Sequence, residues 1–201
     1  MIFSNQTKKL INLLAKLPGI GPRQATRLVF HLVNSEKETL TELIKTLDEV
    51  KNINTCPKCF FINEDKDEKF CYICRDESRS PSSIAILEKE TDLISLERTN
   101  KWRGRYLILG DLKRGGFLND NQNARLNTLK ERIYQEHNGK IDEILVAISP
   151  TAFGDLAAQT IMKELYMLTN KITRIGRGLP IGGDIEFADE DTLSEALRNR
   201  N

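Results

Sequence analysis

Cys56-Pro-Lys-Cys59 and Cys71-Tyr-Ile-Cys74 stand eleven residues apart, and nothing else in the 201-residue sequence limits its possible folds so tightly. Two C-x-x-C pairs at this separation can place four thiolates tetrahedrally around Zn²⁺, closing a loop that has little apolar core of its own. The spacing is close to that of zinc ribbons, with a spacer shorter than the commonest one. Sulfur at all four positions leaves no site for water, so such a centre is structural. The competing readings are a redox dithiol pair and free core cysteines, and a redox C-x-x-C ordinarily comes singly at the start of a helix. Compartment bears on the choice. No apolar run approaches the ~20 residues that span a bilayer, and MIFSNQTKK lacks the apolar region of a secretory signal. The expected setting is cytoplasmic and without a membrane partner, where thiols stay reduced and paired cysteines favour a metal.

The cysteine loop, residues 56–79, separates two unlike halves. Residues 1–55 read as helical: Leu10, Ile11, Leu13, Leu14 and Leu17 repeat on one helix face. Pro22 suits the first turn of a second helix, and Ser35 with Glu38 reads as a capping box opening a third. From residue 80 to about 175, short apolar strands (SIAILE, RYLILG, EILVAIS, KITRI) alternate with helical patterns, which predicts a mostly parallel sheet. Residues 176–201 form a glycine-rich, then acidic tail ending in a short helix. The fold class is therefore α/β with a helical N-terminal segment. Leu193, Ala196 and Leu197 share one face of the last helix, which can pack on a neighbouring subunit or fold back on its own sheet.

The net charge is only +1, so total charge does not point to nucleic acid, but its distribution does. Residues 1–35 contain Lys8, Lys9, Lys16, Arg23 and Arg27 and no carboxylate. Within that stretch lies LPGIGPRQA, a turn that resembles the helix-hairpin-helix motif. Gly19 and Gly21 allow a tight turn and close approach of backbone amides to a ligand. The following helix opens with unpaired N–H groups and the positive end of its dipole, an arrangement that suits phosphate. Arg23 and Arg27, one helical turn apart, add two cations. Contacts of this kind hold a DNA backbone without reading sequence. The plainer alternative is a corner between two helices whose glycines merely permit the turn.

Taken in order, these segments resemble the RecR family of bacterial recombination mediators. The resemblance rests on LPGIGPRQATRLVFHL, on C-P-x-C…C-x-I-C, on Ile86-Leu87-Glu88 before a D-x-x-x-x-E-R helix, and on RIGRGLPIGGDIEFADEDTLSEAL. It implies that residues 80–175 form a Toprim domain and that the tail serves oligomerisation. It further implies a tetrameric ring able to encircle DNA, working with RecO and RecF to load the recombinase RecA at single-stranded gaps. In that picture Lys9, Arg23 and Arg27 touch the DNA backbone, the four cysteines hold structural zinc, and the protein associates with the nucleoid. Toprim enzymes combine a glutamate with a later D-x-D to hold Mg²⁺ for phosphoryl transfer. Here Glu88 fits the glutamate, but Ser149 and Thr151 stand where the aspartates would be, and neither supplies an anionic ligand. RGLPIGGD also lacks the lysine and hydroxyl of a phosphate-binding nucleotide loop. The chain is thus expected not to be an enzyme, with Glu88 and Asp155 on a partner-facing acidic surface. Two features depart from the family: Phe153 occupies a position usually acidic, and LGDLKRGGFLND (109–120) replaces a proline- and glycine-bearing loop. The alternatives are a metal-dependent Toprim nuclease resting on Glu88 and Asp155, and a zinc-stabilised interaction module that does not bind DNA.

Overall fold

A computed structural model describes residues 3–112 and 116–200. The chain divides into two units, Met1–Ile53 and Asn54–Asn201. The first unit holds α1 (Asn5–Leu14), α2 (Pro22–Val33) and α3 (Lys37–Val50). Ser4 caps α1 by accepting the Thr7 amide. Gly21 is the N-cap of α2 and Pro22 its first residue, where the missing N–H costs nothing. The expected capping box at α3 is absent. Glu36 is the N-cap and makes no side-chain cap bond, and the Ser35 hydroxyl instead donates back to the His31 carbonyl, 2.8 Å away at the end of α2. Among the described residues only Ala25 and Val29 are buried in this unit, although Leu13, Phe30, Val33, Ile44, Leu47 and Val50 are all exposed. So small a core cannot offset the conformational entropy of some fifty residues.

The second unit begins with a finger: β1 (Asn54–Thr55) pairs antiparallel with β2 (Ile62–Asn63), and the short α4 (Tyr72–Arg75) follows. Next come β3 (Ser80–Leu87), α5 (Glu90–Arg98), β4 (Gly104–Ile108), α6 (Asp120–His137), β5 (Ile141–Ala147), α7 (Ala152–Leu165) and β6 (Thr169–Arg174). The four long strands form an all-parallel sheet in the order β4-β3-β5-β6. The tail ends in α8 (Glu190–Arg198).

Side chains alternate across the sheet, and each set has its own cover. Ile84, Ile86, Leu107, Ile144 and Val146 pack with Leu126, Leu129 and Ile133 of α6 and Ala158, Ile161 and Leu165 of α7. The opposite set, Ala85, Leu87, Tyr106, Ile108 and Ala147, packs with Leu93 of α5 and with Phe61, Ile73 and the four cysteines of the finger. The finger is therefore part of the α/β core, not a bead on a linker. Each fully buried Leu or Ile contributes roughly 1.5–3 kcal/mol.

A polar network closes the base of this second layer. Arg79 donates to both oxygens of Glu97 at 2.9 and 2.5 Å, and the Tyr106 hydroxyl donates to the same carboxylate. Burial alone would raise the Glu97 pKa, but hydrogen bonds from Arg79 and Tyr106 outweigh it and hold the carboxyl below its ordinary value. Glu97→Ala leaves Arg79, whose side chain is only 12% exposed, with Asp76 and the Gly104 carbonyl as its remaining partners, and should cost about 1–3 kcal/mol. A shifted urea midpoint with unchanged slope checks this. Because the folded pKa is depressed, the contribution is present above the ordinary carboxylate value and is lost as pH falls through the folded one.

Candidate functional site

The four cysteines meet. Their Sγ atoms all lie within 4.8 Å of one another and every cysteine is buried, with Cys59 Sγ 3.4 Å from Cys71 Sγ. All four are free thiols. A tetrahedral zinc–thiolate centre with bonds of ~2.3 Å needs sulfurs ~3.8 Å apart, so the cluster fits a metal ion of that size. The thiols share protons unequally. Hydrogen bonds from Cys59 and Cys71 pull Cys56 down, while its bond to Cys56 pushes Cys59 up. Four thiolates at this separation need a cation to coexist.

Several contacts hold the first cysteine turn in place. The Ile108 amide, on the edge strand β4, donates to the Cys59 carbonyl at 2.9 Å, which blunts that edge. Arg132 of α6 donates to the Lys58 carbonyl at 2.8 Å, and Lys58 pairs with Glu136 at the same distance. Arg125 lies over the Phe60 ring, 4.7 Å from its centroid. None of these partners carries a local sequence signal, since they lie between 49 and 78 residues from the groups they bind.

In the first unit the hairpin turn is built as its glycines require. Gly19 has φ +77°, a conformation L side chains rarely adopt. At Gly21 a Cβ would meet nothing within 4 Å, so the space beside the α2 N-terminus is open. No side chain caps the α2 amides. Lys9, Arg23 and Arg27 are exposed, and none makes an ion pair among the described residues. The first turn of α2 contains no carboxylate.

The carboxyl ends of the parallel strands carry the residues compared with a Toprim metal site. Glu88 follows β3 and accepts the Leu112 amide at 3.1 Å. Thr151 is the N-cap of α7, its hydroxyl accepting the Gly154 amide at 3.0 Å, so it is committed to the helix. Asp155 does not project freely: Arg174 donates to it at 2.7 Å and Arg177 binds both its oxygens. Burial opposes its ionisation, but the bonds from Arg177 and Arg174 prevail and hold its carboxyl below the ordinary value. Sequence reading missed these two arginines, which bound the run RIGR, Arg174 closing β6 and Arg177 just beyond it. Tyr106 offers no activated nucleophile: it is buried, with its phenol pushed up by burial and by Glu97.

The two departures at Phe153 and 109–120 are neighbours. Gly116 has φ +71°, and a Cβ there would sit 2.7 Å from Leu156 Cβ and 3.1 Å from the Phe153 carbonyl. Residues 113–115 of this loop lie outside the described residues. Asp155→Asn removes the charge that holds both arginines and should cost about 1–2 kcal/mol. Arg177 also anchors the tail, since its carbonyl accepts from Asn199 at 3.0 Å. Limited trypsin digestion should therefore cut the variant faster at Arg174 and Arg177 than the parent. The same ion pairs should weaken on acidification, because a depressed carboxyl pKa supplies stability that is lost as pH falls through it.

A helix-hairpin-helix unit, a four-cysteine finger and a parallel Toprim sheet define a modular protein of DNA transactions. Residues 7–51 match the family described as RecR, helix-hairpin-helix; residues 82–176 match the Toprim domain, and 178–201 match RecR, C-terminal. The chain is 35% identical over 205 residues to Recombination protein RecR of Paenarthrobacter aurescens (strain TC1), covering 99% of this chain and 98% of that one. Recombination protein RecR of Dehalococcoides mccartyi (strain ATCC BAA-2266 / KCTC 15142 / 195) is 36% identical over 193 residues, covering 96% and 92%. That of Gloeobacter violaceus (strain ATCC 29082 / PCC 7421) is 34% identical over 200 residues, covering 99% and 98%. The chain belongs to the RecR family of recombination proteins. No helix among its described residues is long and apolar enough to cross a membrane.

Proposed function

We propose that this protein is a non-enzymatic DNA clamp of recombinational repair, acting in the cytoplasm at the nucleoid. The observation that carries the reading is the uncapped N-terminus of α2, open beside Gly21 and flanked by exposed, unpaired Arg23 and Arg27. Bare amides and two cations on one face suit a phosphate and suit little else. Lys9 adds a third cation. In this reading Cys56, Cys59, Cys71 and Cys74 hold a structural zinc ion that fixes the finger against β4 and α6.

One hairpin offers only two or three phosphate contacts, which salt readily displaces. Several copies around one hole raise the effective concentration of those contacts. Two sets of exposed apolar residues support assembly into a tetrameric ring. One is the set on α1–α3 of the first unit; the other is Ile181, Ile185 and Phe187 in the tail. The last helix uses part of its apolar face at home, with Ala196 Cα 3.5 Å from the position of a Cβ on Gly178, while Leu197 stays exposed. Resemblance to the family supports RecO and RecF as the partners in this reading, with loading of RecA at single-stranded gaps as the outcome. Glu88 and Asp155 belong to the partner-facing surface in this reading. Asp155 contributes there together with Arg174 and Arg177, as a mixed-charge group.

The test is retention on a gapped circular plasmid with Mg²⁺, washed at rising salt beside a linear copy. Retention on the circle, loss from the linear form and uncut DNA are expected. Equal loss from both forms would remove the clamp, and cleaved DNA would restore a nuclease.

A further inference from the structure

The densest positive charge in the sequence lies outside the hairpin. Arg98, Lys101, Arg103 and Arg105 fall within the eight residues 98–105, and no other window of that length holds four cations. No carboxylate interrupts them. They occupy the end of α5, the turn after it and the start of β4, at the rim where the parallel strands begin. Glu88, Thr151 and Asp155 lie at the opposite rim, where the strands end. The cluster is thus separate from the Toprim carboxylate site.

Its charge is not taken up in ion pairs, although Arg103 lies near enough to Glu97 to favour its ionised form. Among the described residues, none of the four cations makes an ion pair, whereas Arg75, Arg79, Lys130, Lys171, Arg174 and Arg177 of the same unit all do. The carboxylates of this rim are already engaged: Glu97 by Arg79 and Tyr106, and Asp142 by the Ser82 hydroxyl. Arg98, Lys101 and Arg103 are exposed, and Arg105 is half-buried with its Nε unbonded. Unpaired like charges held close together raise the folding free energy, so their grouping favours a polyanionic ligand.

Trp102 stands among them. It is half-buried, packed on the second core layer, and its indole N–H donates to the Arg105 carbonyl at 3.2 Å. Gly104 makes room for it, since a Cβ there would sit 2.8 Å from the indole ring. The ring is fixed from behind, and Lys101, Arg103 and Arg105 are its neighbours along the chain. An immobilised aromatic ring within a basic rim is the arrangement that holds single-stranded nucleic acid, bases on the ring and phosphates on the cations.

We propose that the turn between α5 and β4 is a second nucleic-acid contact, which takes the phosphates of single-stranded DNA on Arg98, Lys101, Arg103 and Arg105 and a base on Trp102. The choice of ligand rests on the DNA-binding reading above; the location does not. A single strand is favoured over duplex because a half-buried ring can stack only on an unpaired base.

Trp102 is the only tryptophan in the chain, so its emission reports on this turn alone. A labelled oligothymidylate is titrated into the full-length protein, with label anisotropy and tryptophan emission followed together. Emission should fall in parallel with the rise in anisotropy. In Lys101→Ala/Arg103→Ala, whose side chains are exposed and whose thermal midpoint should not move, affinity should drop about tenfold. The slope of log affinity against log salt should become shallower by about 1.4, at ~0.7 per lost contact. Arg23→Glu/Arg27→Glu should weaken binding but keep the emission change at saturation. Binding with constant emission and an unaltered salt slope in the alanine variant would overturn this site and leave the hairpin standing. No binding by the parent protein would overturn both. An emission change produced by poly-glutamate and not by oligothymidylate would assign the turn to an acidic protein segment instead.

Discussion

Cys59→Ser is expected to lower the thermal midpoint by about 10–15 °C, from a loss of about 3–5 kcal/mol in a chain of this size. The reason is the place of the cysteine cluster in the core. Cys59 is fully buried, and its carbonyl accepts the amide of Ile108 on the edge strand. Phe61 and Ile73 of the finger share one apolar layer with Leu87, Leu93 and Tyr106. In structural zinc sites the free energy of metal binding is folding free energy, apparently about 10–16 kcal/mol in small fingers. With the proposed zinc bound, losing one thiolate would forfeit much of that, and the loosened finger would uncover the second face of the sheet. A strong chelator should reproduce the effect in the parent protein, with bound zinc and the midpoint falling together. A midpoint within about 2 °C of the parent, with no zinc found in either protein, would show that the thiols pack without a metal.

Arg23→Glu/Arg27→Glu should reduce retention on the gapped circle by about 100-fold or more while leaving the thermal midpoint nearly unchanged. Both side chains are exposed and unpaired, so their reversal breaks no internal contact. At the hairpin each protomer loses two phosphate contacts and gains two repulsions beside open helix amides. In the proposed ring the loss would recur in every copy, and multivalent binding multiplies such losses. The salt dependence of what remains should be shallower. Retention equal to that of the parent would move the DNA contact away from the hairpin altogether.

Local spacing made much of this molecule legible. The cysteine pairs, the turn at Gly19 and Gly21, Pro22 at the first position of α2, and the strand–helix alternation after residue 80 are all short-range patterns. Each is fixed by the geometry of neighbouring residues, so each appears in the sequence as a period or a motif. The capping box at Ser35 and Glu38 failed for the same reason in reverse. It is a local pattern with a local competitor, and the carbonyl of His31 took the hydroxyl.

Long-range pairing was not legible. Nothing around Lys58 announces Arg132 or Glu136, and nothing around Asp155 announces Arg174 and Arg177. Those partners meet because strands from distant parts of the chain lie side by side, and the sequence carries no period that encodes the meeting. The sequence by itself determined that a glycine hairpin, four thiols and a parallel α/β sheet occur in this order. Only the tertiary structure decided that the finger belongs to the sheet's core and that Asp155 is neutralised by two guanidinium groups. It also showed, among the described residues, four cations outside any ion pair on the far rim, beside a half-buried tryptophan. Charge and burial are properties of what a residue ends up beside, and that is settled by packing.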